Sequence, residues 1–340
     1  MATRVILVRH GQSTYNAEKR YQGCCDESVL TEAGFVMAQQ TRDLLKRTKI
    51  HAVYSSPLQR TKQTAIAILQ DSARELTCHD HLKEVALPAW EGLSFQHVRQ
   101  HLAEDYQSWK ERPHEFQMQF AEAENSVATL TQSRFPVLEL YVQAQQFWKE
   151  IILRHRDETI LIVSHGGTIR ALIGTAIGMG CQAFHTLQQS NCGVSILEFP
   201  QGLEKPATLQ AMNRTQHLGE TLPKLKEGKL GLRLLLIQDS APIRHLAKFL
   251  KSIHLEFCVS CDRIDQLTQE LTWQMDAESL TTGIAILTPN LIRQLLANTL
   301  EIPTNSSVLD LEPETMSILH YPINHRPVLQ AFNFTPNELL

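Results

Sequence analysis

The sequence predicts an α/β protein: a three-layer, doubly wound sheet with a helical cap insertion, followed by a smaller α/β second domain. Three observations carry that prediction. Residues 5–8 (Val-Ile-Leu-Val) and 159–163 (Thr-Ile-Leu-Ile-Val) are short, β-branched apolar runs, the mark of strands buried on both faces of a sheet. Segments with apolar residues at helical spacing lie between and beyond such runs. The same succession of apolar strand and polar tip returns after residue 231.

The bulk numbers agree with two compact units. A chain of 340 residues with 43% hydrophobic residues can bury a full core. A formal net charge of −4, with Lys and Arg scattered, lacks the basic excess of a nucleic-acid binder. Seven cysteines, including Cys24-Cys25, show no regular framework and no Cys-x-x-Cys, which argues against disulfides and structural zinc and for a reducing compartment. The amino terminus runs straight into the first strand, and no apolar stretch reaches membrane-spanning length, so a cytoplasmic location without membrane contact is expected.

Taken in order, the first strand ends in Arg9-His10-Gly11, followed by Gln12, Ser13, Thr14 and Asn16: a cation, an imidazole and hydrogen-bonding side chains suited to an anion. A packing helix follows Leu30-Thr31, with Ala33, Val36, Met37, Leu44 and Leu45 at helical spacing. Residues 50–54 form a second strand. Ser56-Pro57 is a helix start with Ser at the cap and Pro in the first position, which puts Arg60 in the first turn. Residues 76–78 form an edge strand.

His79-Asp80-His81 has ligand-type residues, but alternate residues of an extended segment point to opposite faces, so no metal site is expected. Glu84 lies in a loop. Residues from about 91 to 150 exceed an ordinary connection and are expected to form a mostly helical cap, while residues 141–152 are a helix returning to the strand before His165. Ile169, Leu172, Ile173 and Ala176 mark a helix whose amino end, at Gly166, would direct positive partial charge at a phosphate between the two histidines. A strand at residues 194–199 and a tail containing Pro206 and Asn213 close the domain.

Four motifs, in order, carry a resemblance: Arg9-His10-Gly11 with Asn16, Gln22 and Gly23; residues 56–65, containing Arg60; Lys83-Glu84 with Trp90-Glu91-Gly92; and Ser164-His165-Gly166-Gly167. Over residues 1 to about 220 the chain resembles the histidine phosphatase superfamily, which includes cofactor-dependent phosphoglycerate mutases and small-molecule phosphatases. The resemblance implies a phosphoglycerate mutase-like fold and a catalytic set of His10, Arg9, Arg60, Glu84 and His165. It implies substrate contacts from Arg9, Asn16, Gln22, Gly23, Arg60, His165 and Gly166.

The chemistry of these residue types agrees. Neutral His10 would take the phosphoryl group as a phosphohistidine, later released by water. Arg9 and Arg60 present forked donors to phosphoryl oxygens. His165 adds a donor. Glu84, with its neutral form favoured by desolvation, would protonate the leaving oxygen. The scheme needs neither metal nor cofactor.

Between residues 91 and 150 there are five Lys or Arg against nine Asp or Glu, a balance that disfavours holding a bisphosphate. Hydrolysis is therefore expected ahead of mutase activity. The chain is most similar to metal-independent phosphoserine phosphatases with a degenerate second half, so the expected substrate is a small phosphomonoester, L-phosphoserine first. α-Ribazole phosphate and sugar phosphates are alternatives. A phospho-ligand sensor stands last, because a sensor needs no nucleophile.

The expected boundaries are a catalytic domain at 1–222, a linker at 223–231 and a shortened second copy at 232–340. In that copy Gln238 stands for Arg9, Asp239 for His10, Thr288 for His165 and, on a looser alignment, Asp265 for Arg60. The copy therefore lacks the chemistry. It is expected to pack on the first domain as a second subunit would, an intramolecular pseudo-dimer, with a homodimer as the alternative.

Overall fold

The computed structural model describes residues 2–335 except 71, 73, 122–130, 227, 241–243, 275–277, 305–306 and 324. Glu122, Glu124 and Glu227, which entered the charge and linker arguments, lie outside the described residues.

The chain begins with β1 (Thr3–Arg9), the single-turn α1 (Thr14–Ala17), α2 (Glu32–Leu45), β2 (Ala52–Ser55), α3 (Gln59–Leu69) and β3 (Leu76–Cys78). An excursion follows through α4 (Phe95–His101), α5 (Ala103–Glu111) and the antiparallel pair β4 (Met118–Ala121) and β5 (Thr131–Arg134). Then come α6 (Pro136–Arg154), β6 (Thr159–Ser164), α7 (Gly166–Ile177), β7 (Val194–Phe199) and β8 (Thr208–Arg214). The remainder is β9 (Gly231–Gln238), α8 (Arg244–Leu250), β10 (Phe257–Ser260), α9 (Ile264–Gln274), β11 (Leu280–Leu287), α10 (Pro289–Leu300), β12 (Met316–Tyr321) and β13 (Val328–Phe334).

One mixed sheet of 11 strands organises the molecule, in the order β10-β11-β9-β12-β13-β8-β7-β1-β6-β2-β3. β1 pairs in parallel with β6 and antiparallel with β7, so Val5, Ile6, Leu7 and Val8 are fully buried from both faces. Val5 and Leu7 face α6 and α7, whereas Ile6 and Val8 face α2 and α3. The alternation of a strand's side chains thus produces helix, sheet and helix layers.

From its middle outward, the sheet runs β8-β7-β1-β6-β2 in one direction and β13-β12-β9-β11-β10 in the other. The pairings repeat: Leu7 lies opposite Ser195 as Leu236 lies opposite Ser317. His10 N–H donates to Ser164 O and Asp239 N–H to Leu287 O, both at 2.9 Å. His165 and Thr288 are the N-caps of α7 and α10. At the join, Phe332 of β13 faces Met212 of β8. Asn213 Nδ2 donates to Gln330 O and Asn333 Nδ2 to Gln210 O, each at 2.7 Å.

Four local expectations differ from the structure. The buried face of α2 is Gly34, Ala38, Thr41 and Leu45, while Val36 is 49% exposed, because close approach to the sheet selects small residues over large ones. α3 starts at Gln59, two residues beyond Pro57, since Ser56 Oγ is engaged by His165 and by the Leu58 N–H. The excursion after residue 91 includes the β4–β5 pair as well as helices, and α6 belongs to the core layer, burying Phe147, Trp148, Ile151 and Ile152. The expected tail around Asn213 is strand β8. Among the described residues no helix is long and apolar enough to cross a membrane.

Candidate active site

The ends of β1, β2 and β6 deliver the principal groups to the carboxyl edge of the sheet, where parallel α/β sheets expose strand ends to ligands. Arg9 closes β1, His10 follows it, and His165 follows β6. The His10 and His165 ring centroids are 5.3 Å apart. Arg60 arrives on the first turn of α3 and is fully buried.

His10 is held in one orientation. Its Nδ1 lies 2.7 Å from Gly11 O, a contact that requires the proton on Nδ1 and leaves the Nε2 lone pair available. Thr64 Oγ1 accepts the Gly11 N–H at 3.0 Å, and Asn191 Nδ2 donates to the carbonyls of His10 and Gly11. Burial, then the charges of Arg9 and Arg60, push the His10 pKa well below its ordinary value. The imidazole is therefore neutral at neutral pH, the state that nucleophilic attack would require.

The cations are fixed by main-chain carbonyls. Arg9 Nη1 donates to Gln189 O at 2.9 Å, Arg60 Nη1 to Cys25 O at 2.7 Å and Arg60 Nη2 to Gly23 O at 2.8 Å. Burial lowers the Arg9 pKa to about 10 and lowers that of Arg60. Both stay charged at neutral pH. Arg9 Nε, Arg60 Nε and His165 Nδ1 are buried without a protein partner. Such donors are costly to leave unpaired, and an oxyanion would satisfy them together.

His165 Nε2 lies 2.9 Å from Ser56 Oγ. With Ser56 Oγ accepting the Leu58 N–H and donating to Nε2, the imidazole proton is assigned to Nδ1, the unpartnered atom. Burial, then Arg60, lowers the His165 pKa well below the usual range, so it too is a neutral donor.

Glu84 is held by hydrogen bonds at the start of α7. Oε1 accepts from Val85 N–H, Thr168 N–H and Thr168 Oγ1, whereas Oε2 accepts only from Gly167 N–H at 3.1 Å. Oε2 is thus the less engaged of the two oxygens. The amino end of α7 serves Glu84 rather than an open phosphate site at Gly167 and Thr168. Gly166 instead packs on Arg9, where an added Cβ would stand 3.4 Å from Nε.

The weaker site residues shape the loop. Gln22 Oε1 accepts from Ser13 and Ser28, and Asn16 Oδ1 accepts from Asn191 Nδ2. Gly23 has φ +50 and lies against the Glu91 carboxylate, so a side chain would be strained there and would meet that carboxylate. Asn191 and Gln189 were not singled out from the sequence, where Ser56 stood only as a helix cap and Thr64 only as part of the motif at residues 56–65. Their roles depend on contacts far along the chain, such as the 181 residues separating Asn191 from His10.

His79 and His81 do lie on one side, contrary to the extended-segment argument, because residues 80–82 make a 3-10 turn. With Glu150 they are the group among the described residues that could hold a metal, their ligand atoms lying within 4.8 Å of one another. His79 Nδ1 accepts the His81 N–H, which puts its proton on Nε2, the atom facing Glu150. The existing hydrogen bonds thus occupy the ring nitrogens of His79.

Comparison with known proteins finds relatives of this chain. The family described as histidine phosphatase superfamily (branch 1) matches residues 5–213. The chain is 30% identical over 217 residues to phosphoserine phosphatase 1 of Hydrogenobacter thermophilus, covering 64% of this chain and 95% of that one. It is 33% identical over 243 residues to 2-carboxy-D-arabinitol-1-phosphatase of Triticum aestivum, covering 71% of this chain and 46% of that protein, so it spans less than half the length of the plant enzyme. Among solved structures, phosphoserine phosphatase of Entamoeba histolytica in complex with 3-phosphoglyceric acid matches with a TM-score of 0.52 and 26% identity, over 64% of this chain and 99% of that one.

Proposed function

The chain belongs to the histidine phosphatase superfamily (branch 1), and from that premise we propose that it hydrolyses a small, carboxylated phosphomonoester, L-phosphoserine first, through a phosphohistidine on His10. The observation that carries the proposal is the convergence of a neutral, Nδ1-tethered His10 with three unpartnered buried donors on Arg9, Arg60 and His165.

In the first step His10 Nε2 forms a bond to phosphorus as the bond to the leaving oxygen breaks, and Glu84 gives its proton to that oxygen. In the second, water attacks phosphorus, returns a proton to Glu84 and releases His10 and inorganic phosphate. Arg9, Arg60 and His165 stabilise the phosphoryl oxygens throughout, a preorganised electrostatic contribution. Every step uses the chain's own side chains, so no metal is required.

The substrate class is supported by the relatives. Phosphoserine and 2-carboxy-D-arabinitol 1-phosphate, the substrates in two of their names, are both small phosphomonoesters with a carboxylate. The plant similarity makes a carboxylated sugar phosphate the second reading. Residues 232–340 are proposed to be the shortened, chemically silent copy, a reading supported by the mirrored strand order and by Asp239 in the place of His10. The test is a phosphate-release panel of L-phosphoserine, 3-phosphoglycerate and sugar phosphates. Preference for a carboxylated ester supports the reading, and interconversion of phosphoglycerates without phosphate release contradicts it.

A further inference from the structure

We propose that Lys226, in the segment joining β8 to β9, belongs to the substrate site and reads the carboxylate that the substrate carries beside its phosphate. Lys226 Nζ donates to Gln189 O at 2.9 Å, the same carbonyl that accepts Arg9 Nη1 at 2.9 Å. The ammonium and the guanidinium therefore stand within two hydrogen-bond lengths of each other. A full anion placed beside this pair gains from both cations.

The position divides the work between the two cations. Arg60 and His165 are fully buried and Arg9 Nε is buried with them, so these groups line the inner part of the site, where a phosphoryl group would be enclosed. Lys226 is an exposed residue whose Nζ reaches a part-buried carbonyl, so it stands between solvent and the buried cations, where it would meet the part of a substrate that projects from the phosphoryl site. It is close enough to the reacting centre to be among the charges that depress His10. A lysine suits this task, being a compact point charge on a flexible stem.

The second half of the chain sets that position. Arg233 Nη2 donates to Pro223 O and Gln188 Nε2 to Lys224 O, each at 3.1 Å, which pins the segment just before Lys226. The loop presenting Gln189 is held in turn by β13: Gln188 N–H donates to Leu329 O at 3.0 Å, and Gln330 Nε2 donates to Gln188 Oε1 at 3.2 Å. A half that has lost its own histidines thus delivers a cation to the active half.

This assignment rests on the carboxylated-substrate reading. The test compares kcat/KM for L-phosphoserine with that for O-phosphoethanolamine, the same molecule without its carboxylate, in the full chain and in its Lys226→Gln and Lys226→Arg variants. Lys226→Gln is expected to lower the phosphoserine value about tenfold more than the phosphoethanolamine value, mainly through KM, and Lys226→Arg to restore most of the difference. Equal losses on both substrates, or no change on either, would overturn the assignment. A wild type that prefers 3-phosphoglycerate to phosphoserine removes the phosphoserine reading alone, and Lys226 is then judged by the same comparison between 3-phosphoglycerate and glycerol phosphate.

Discussion

His10 and His165 show how burial can be used rather than merely tolerated. Both imidazoles lose hydration and face arginines, so both stay neutral where an exposed histidine would begin to charge. Their signals in an NMR titration should therefore stay flat from pH 7.5 to 5.5. His185, also buried, and His217, lowered to about 4, behave alike. Because folding weakens proton binding at these sites, the unfolded chain takes up more protons below about pH 6.5. Stability is therefore full above that pH and falls as pH drops through it, which a Tm series from pH 7.5 to 5 will show as a steady decline. Glu84 makes a separate prediction: Glu84→Gln should lower kcat about 100-fold or more for phosphoserine, whose alkoxide needs a proton. The loss should be far smaller for p-nitrophenyl phosphate, whose leaving group does not, and equal losses would remove the acid role. Arg9, His10, Arg60 and His165 were legible because each closes or follows a recognisable strand or lies in the first turn of a helix. Asn191 was not, since an asparagine gives no signal until the fold brings its partner to it, and Ser56 signalled only a helix cap, not its bond to His165.

Among the elements, α7 couples packing to chemistry. Its second residue, Gly167, has no room for a methyl group, since a Cβ would stand 2.5 Å from Glu84 Oε1. Gly167→Ala should therefore displace Glu84 and lower kcat by about tenfold or more while the helix persists, as circular dichroism can verify. α6 answers to packing alone. Phe147, fully buried and edge-on to Tyr54, should cost about 3–5 kcal/mol as Phe147→Ala in denaturant unfolding. The helix was legible from its apolar spacing. Its membership of the core layer was not, because the same spacing serves a cap helix equally well. α2 misled for a related reason: Gly34 and Ala38 are weak apolar signals, yet they are what a close helix–sheet approach demands.

At the scale of the whole molecule, the sheet continues across β8 and β13 where a single domain would end in an open edge. Leu209-Gln210-Ala211 of β8 recurs as Leu329-Gln330-Ala331 of β13, but the meeting of these strands through the Asn213 and Asn333 amides was not legible, since nothing local encodes which edges join. A chain cut after residue 222 would expose β8, whose unpaired backbone groups invite another strand. Such a fragment should self-associate in light scattering under conditions where the full chain does not.

The central claim is that His10 carries the phosphoryl group in hydrolysis of a carboxylated phosphomonoester, and inorganic phosphate release from L-phosphoserine in EDTA, with His10→Ala run beside the wild type, tests it most directly. The account predicts metal-independent release by the wild type and its loss in the variant. Release that persists in His10→Ala, or that EDTA abolishes, would contradict it.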